Sequence, residues 1–189
     1  MESNMDPIEN EEIWDKKYST DYIKGREFYY CKFTLCQFSD LLEVKFFDCT
    51  FINCDFSNCN LNDSQIRNCV FTESKLLGIG ISETNFAFSA NFFSCDLRYA
   101  EFLEVSLKGI EIHNCNCEHT RFSNCNLRNA TLIKSNFKEA IFSQCDLQNS
   151  KFRENKFLVI YPTVNKIKRT EIDIETALNI ITVLGFKAN

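Results

Sequence analysis

"FFDCTFINCDFSNCNL", Phe46 to Leu61, decides how the rest of the chain is read. Its apolar residues Phe46, Phe51, Phe56 and Leu61 stand five apart, and Cys49, Cys54 and Cys59 each lie two places before one of them. A period of five matches neither the 3.6 of a helix nor the 2.0 of a strand, which excludes a regular helix and a simple sheet. It describes a coil that turns a corner at every fifth residue.

The period extends well beyond that stretch. Upstream and downstream of it one phase holds through Leu41, Phe46, Phe51, Phe56, Leu61, Ile66, Phe71, Leu76, Ile81 and Phe86. A second, longer phase runs from Phe92 through Leu97, Phe102, Leu107, Ile112, Cys117, Phe122, Leu127, Leu132, Phe137, Phe142, Leu147 and Phe152 to Phe157. A short run, Ile23, Phe28 and Phe33, precedes both. Two breaks interrupt the phase, near 34–40 and near 87–91, and neither is long enough for a projecting loop.

The cysteines follow from the period. Cys31, Cys49, Cys54, Cys59, Cys69, Cys95, Cys115, Cys125 and Cys145 occupy the place two before a centre, as does Cys36 if Phe38 counts as one. Ala90, Ala100, Ala130, Ala140, Ser64, Ser74, Ser135 and Ser150 share that column, so its common property is smallness. Cys117 alone takes a centre. Structural zinc sites use cysteine pairs two to four residues apart joined to a second such pair, and this spacing does not supply them. Thiols stacked coil over coil also lack the torsion near 90° that a disulfide needs. The eleven cysteines therefore read as free thiols packed as small hydrophobes, with no metal and no cofactor expected.

Composition agrees with one packed domain: 189 residues, 44% hydrophobic and 25% charged, with only five Gly and two Pro but nineteen Phe. No stretch approaches the roughly 18 to 20 apolar residues of a membrane span, and the first residues are acidic where a signal peptide is basic and then apolar. With an odd number of cysteines this points to the reducing cytoplasm and away from the membrane. Catalytic residues are not expected: His113 and His119 fall at outward positions, with no glycine-rich phosphate loop or nucleophile motif near them.

The pentads "SCDLR", "NCNLR", "KSNFK" and "QCDLQ" resemble those of the pentapeptide-repeat family: small residue, Asp or Asn, Leu or Phe, then two polar residues. The resemblance spans about residues 20 to 157. It implies an all-β fold, a right-handed quadrilateral parallel β-helix with four pentads per coil, here nearly seven coils. Residues twenty apart, such as Leu107, Leu127 and Leu147, then lie over one another, and Phe51, Phe56, Phe71, Phe102, Phe122 and Phe142 form the core stack. The domain reading is an N-terminal acidic cap at 1–19, the β-helix at 20–157, and a C-terminal cap and dimerisation helix at 158–189.

The tail reads differently from the body. Asp173 is placed as an N-cap, Ile174, Ala177, Leu178 and Ile181 follow at helical spacing, and Gly185 stands where a C-cap ends the run. This tail, with "SCDLRYAEF", "KGIEIHNC" and "LNIITVLGF", resembles the quinolone-resistance (Qnr) and microcin-immunity (McbG) branches, where such a helix pairs two rods end to end. The resemblance makes Ile174, Leu178, Ile181, Leu184 and Phe186 a homodimer interface.

Members of that branch bind DNA gyrase and topoisomerase IV and are thought to imitate duplex DNA by a rod of similar width with acidic flanks. By the same resemblance the chain is a non-enzymatic partner of a type II topoisomerase that protects it from quinolones or gyrase-directed peptide toxins, without touching nucleic acid directly. The alternative is a generic interaction scaffold with another partner, since fold does not fix function. Net charges of −4, −3, +1 and +1 over 1–27, 28–86, 87–157 and 158–189 concentrate acid before residue 87. Asp48, Asp55 and Asp63 are taken as the partner-binding acidic face.

Overall fold

The computed structural model describes residues 6–61, 64–82 and 88–187. The chain winds as a right-handed quadrilateral β-helix of about 8 turns, ending in one short helix, Ile174–Val183. All strand pairing is parallel, coil over coil. One wall, here the second, shows the whole winding as a nine-stranded sheet whose centres stack in the order Ile13, Phe33, Phe51, Phe71, Phe92, Ile112, Leu132, Phe152 and Ile172. Eight steps at the ~4.8 Å strand spacing give a rod about 38 Å long.

The first wall carries Ile8, Phe28, Phe46 and Ile66 as a four-stranded sheet. Lower on the same wall the bridges Ser106 to Asn126, Asn126 to Asp146 and Asp146 to Lys166 stack Leu107, Leu127 and Leu147. The third wall begins with Tyr18 on Phe38 and continues by bridges from Gln37 down to Lys156. Ile81, Phe102, Phe122 and Phe142 stack on the fourth.

Each pentad makes its corner the same way. The centre and the residue two before it point inward, the flanking residues point outward, and, except after Tyr18, Phe38 and Ile172 among the described residues, the residue two after the centre takes a positive φ: Asn53, Asn58, Asn114, Asn124, Asn129 and Asn149 among others, with φ of 52 to 59°. That left-handed conformation is least costly for Asn and Gly, which explains why Gly25, Gly78 and Gly109 hold the same place.

The small column is also a polar ladder. The Cys95 thiol donates to the Phe93 and Phe71 carbonyls at 3.4 Å. Below it, Cys115 Sγ accepts the Cys95 N–H at 3.3 Å, Ser135 Oγ accepts the Cys115 N–H at 3.0 Å, and Asn155 Oδ1 accepts the Ser135 N–H at 3.0 Å. These inward N–H groups would otherwise be buried without partners, so side chains that are small and also hydrogen-bond suit the column. Smallness alone, as read from the sequence, misses that second requirement.

Four boundaries move. Winding begins at Ile8, so residues 8–18 of the expected acidic cap form the first coil, with Ile8 on Phe28, Ile13 on Phe33 and Tyr18 on Phe38. The places two before its centres, Asp6, Glu11, Lys16 and Asp21, are exposed at the open end, so they need not be small and the pattern was hidden. Winding also continues past 157, since Lys166 bridges Asp146 and Ile172 pairs with Phe152, and the coil count rises above seven. Phe157, expected as the last centre, has φ +56° and is 59% exposed, while Leu158 and Ile160 are buried where the chain turns toward its cap.

The fourth concerns the first phase break, which narrows to the step from Phe38 to Leu41. Phe38 is a buried centre, and the coil from Phe33 to Phe51 is 18 residues long where most are 20. At the second break the coil from Phe71 to Phe92 has 21. Phe86 and position 87 lie outside the described residues; Phe88 packs against the core beside Phe92.

Candidate functional site

A rod of this kind can act through its walls, its corners and its ends. The six residues of the expected stack, Phe51, Phe56, Phe71, Phe102, Phe122 and Phe142, all lie in the core and are sealed from any partner. All eleven cysteines are buried too. Burial pushes the Cys54 and Cys59 thiols up to about 12, and raises Cys117, so these groups stay protonated and unreactive near neutral pH. Among the described residues no three His, Cys, Asp or Glu side chains gather as a metal site requires. His119 stacks on Tyr99 at 4.7 Å with its Nδ1 3.2 Å from Glu139, and His113 stands edge-on to Phe93 at 5.2 Å. Neither faces a nucleophile.

The expected acidic face does not assemble. Asp48 sits at the corner after Phe46 on the first wall, whereas Asp55 precedes Phe56 on the third, where it bridges Gln37 and Lys75. Asp63 lies outside the described residues. The seven residues from Asp48 to Asp55 cannot return to one wall when a coil takes 18 to 21.

Register places two pairs of acids, three coils apart with Asn60 and Gly80 between them, on the fourth wall and the corner that follows it. Asp40 and Glu101 are outward residues just before Leu41 and Phe102, and Glu43 and Glu104 take the corner after those same centres. Lys24 reaches Glu43 at 3.7 Å and Arg121 reaches Glu101 at 3.7 Å, both exposed pairs in which water weakens the neutralisation. Sequence reasoning missed this edge because it counted charge along the chain. Folding the sequence at the coil length, with the 18- and 21-residue coils included, would have found it.

The C-terminal helix has two faces. Asp173 accepts the Thr176 N–H at 2.9 Å through one oxygen and the Glu154 N–H at 2.7 Å through the other, fixing the helix start to the preceding coil. Burial would raise its carboxyl pKa, but these hydrogen bonds outweigh burial and hold it low. Thr176 is buried, Ile180 packs on the core and Asn179 Nδ2 reaches the Leu158 carbonyl. Gly185, at φ +87°, follows the C-cap Leu184. The opposite face presents Ile174, Leu178, Ile181, Leu184 and, past the helix, Phe186, all exposed, with Ile174 at 81%. No helix among the described residues is long and apolar enough to cross a membrane.

The period, the winding and the donor ladder define a class. A family model described as pentapeptide repeat region matches residues 44–122, and one described as pentapeptide repeats (8 copies) matches residues 110–149. Together they span 44–149, more than half of the chain, which belongs to the pentapeptide-repeat proteins. Among solved structures, a trypsin-treated variant of QnrB1, a plasmid-mediated fluoroquinolone resistance protein, is similar over 96% of this chain and 99% of that one, at 17% identity and a TM-score of 0.56. A second trypsin-treated QnrB1 variant matches over 97% and 100% at 17% identity and a TM-score of 0.42. HetL, a pentapeptide-repeat protein involved in heterocyst differentiation regulation from the cyanobacterium Nostoc sp. Strain PCC 7120, matches over 88% and 87% at 10% identity and 0.29. No curated protein matches the sequence.

Proposed function

We propose that this chain is a non-enzymatic cytoplasmic rod that binds DNA gyrase or topoisomerase IV and shields it from quinolones or gyrase-directed peptide toxins. The observation that carries the reading is the acidic edge of Asp40, Glu43, Glu101 and Glu104 on a straight-walled rod. Negative side chains spaced along such an edge present a field like that of a phosphate backbone to a surface built to hold DNA. The likeness to QnrB1 supports the fold on which this rests.

The protein should restore supercoiling by gyrase in the presence of a quinolone or such a toxin, by binding the enzyme rather than the drug. Reversing Glu43, Glu101 and Glu104 to Lys should weaken that binding by about tenfold or more and flatten its salt dependence. Reversing Asp48 and Asp55, which lie on different walls, should matter less. Failure to bind either topoisomerase at low salt would sink the reading.

The apolar face of the C-terminal helix supports pairing with a second copy, since a monomer rarely exposes such a stripe. Removing residues 173–189 should halve the mass seen by sedimentation. A full-length chain that sediments as a monomer at micromolar concentration argues against pairing.

A further inference from the structure

The bases of the last coils are sorted as unevenly as the acids. On the second wall Arg153 pairs with Glu171 and Lys134 with Glu154; on the fourth Arg121 pairs with Glu101. The lower first wall is different. The register of Ser106, Asn126, Asp146 and Lys166 places Lys108, Arg128, Gln148 and Lys168 in one outward column. The hydrogen bonds Gly109 N–H to Arg128 O, Asn129 N–H to Gln148 O and Asn149 N–H to Lys168 O hold that column in step. Arg169 takes the corner of the last coil with φ +60°, and Lys166 flanks it.

Five bases thus share one wall about three coil steps, or ~14 Å, long. Lys108, Lys166, Lys168 and Arg169 are exposed and have no ion pair among the described residues, while Arg128 meets Asp146 at 3.4 Å. Of the nearby carboxylates on the second wall, Glu171 is taken by Arg153 and Glu111 lies 4.0 Å from His113. Asp146 on the wall offsets Arg128 and Glu104 stands at the corner before it, so the four other bases carry the patch in a chain of net charge −5.

We propose that this wall binds the phosphate backbone of nucleic acid. The chemistry of the patch selects that partner over an acidic protein. Its centre is Arg128 among Asn126, Asn129 and Gln148, the side-chain types that contact phosphate and sugar, with the Asp146 carboxylate accepting from Arg128 and Gln148 at 3.4 Å until phosphate displaces it. A protein interface would need aromatic or aliphatic anchors in the middle, and among the described residues the exposed apolar side chains here, Ile167 and Val164, lie at the bottom rung. The contact would be independent of sequence. It runs against the expectation of no direct nucleic-acid contact, and it does not rest on the topoisomerase reading.

The test uses the full chain and a fluorescently labelled DNA duplex of roughly 20 base pairs, with no enzyme present. Polarisation should report binding at about 25 mM KCl, and four phosphate contacts would weaken it about a thousandfold by about 200 mM. Lys108→Glu with Lys168→Glu should lower affinity at least tenfold, while Lys17→Glu with Lys32→Glu, on other walls, should leave it within twofold. Lys108, Lys168 and Lys17 are exposed and Lys32 is half-buried beside Glu12, and matching thermal melts would show both variants folded. No binding at the lowest salt, binding that survives the Lys108 and Lys168 reversals, or equal displacement by a poly-glutamate peptide would each overturn the proposal.

Discussion

Coils before and after the register jump at Phe92 fill the same square core with different side chains. In the earlier coils aromatic rings occupy three walls at once. Phe33 stacks along its wall on Phe51 at 5.0 Å and meets Phe28, Phe38 and Phe46 edge-on across the others at 5.2 to 5.6 Å. In the later coils the continuous ring stack keeps to one wall, with Phe102 on Phe122 at 4.9 Å and Phe122 on Phe142 at 4.7 Å, and leucines fill the wall of Leu107, Leu127 and Leu147. The coil length also differs: 20, 18, 20 and 21 residues before Phe92, and 20 throughout after it. Edge-to-face rings can reorient across a core when one side shortens, and the small column adapts with them: the Cys54 thiol reaches the Phe33 carbonyl across the 18-residue coil and the Cys95 thiol the Phe71 carbonyl across the 21-residue one.

The largest effect separating the halves should come from the core rings. Phe→Ala costs about 3 to 5 kcal/mol in a packed interior, and each aromatic pair adds about 0.5 to 1.5 kcal/mol beyond burial. With five ring partners against two among the described residues, Phe33→Ala should therefore cost about 1.5 to 4.5 kcal/mol more than Phe122→Ala, though both rings are fully buried. Phe122→Asp should cost more than either, because the carboxylate would have no partner. Urea melts of the three variants check this. Equal losses for Phe33→Ala and Phe122→Ala would show that the cross-wall ring contacts add nothing.

A smaller effect comes from the thiols among the early rings. Cys54 and Cys59 have an ordinary pKa near 9.0, raised to about 12 by burial. Below pH 9 both states hold the proton and stability is unaffected. From pH 9 upward the unfolded chain ionises first, so stability is lost progressively until pH approaches 12. The urea midpoint should stay level up to that onset and then fall, and Cys54→Ala should lessen the fall. A midpoint as high at pH 10 as at pH 8 would refute it.

Much of the later half is legible in the sequence because a constant coil makes the linear period and the spatial period the same. Leu107, Leu127 and Leu147 could be stacked by counting alone. The earlier half hides its start for a physical reason: among the described residues no coil stacks on the first, and exposed Glu11 and Lys16 stand where other pentads carry the small column. The acidic edge was illegible for a related reason. Asp40 and Glu101 are 61 residues apart, and only the coil lengths between them reveal that they share a wall. The helix was readable from Asp173 to Gly185 because caps and amphipathic spacing are local signals.

The smallest expected effect lies at the corners, where the two halves should behave alike. Gln144 at φ +55° and Gly109 at φ +74° occupy the same place, two residues past a centre. An added Cβ at Gly109 would meet no atom within 4 Å, so Gly109→Ala isolates the conformational penalty of the left-handed region, about 1 to 2 kcal/mol. Gln144→Gly relieves the same penalty but loosens the unfolded chain by about 0.5 to 1 kcal/mol, leaving a gain of less than about 1 kcal/mol. For a chain of this size each kcal/mol moves the melting temperature by about 2 to 4 °C. Gly109→Ala should thus lower it by a few degrees and Gln144→Gly raise it slightly. If Leu35→Gly, at φ +58° in the earlier half, behaves like Gln144→Gly, the corner is set by backbone geometry alone; a clear loss there would mean that its half-exposed side chain also contributes to packing.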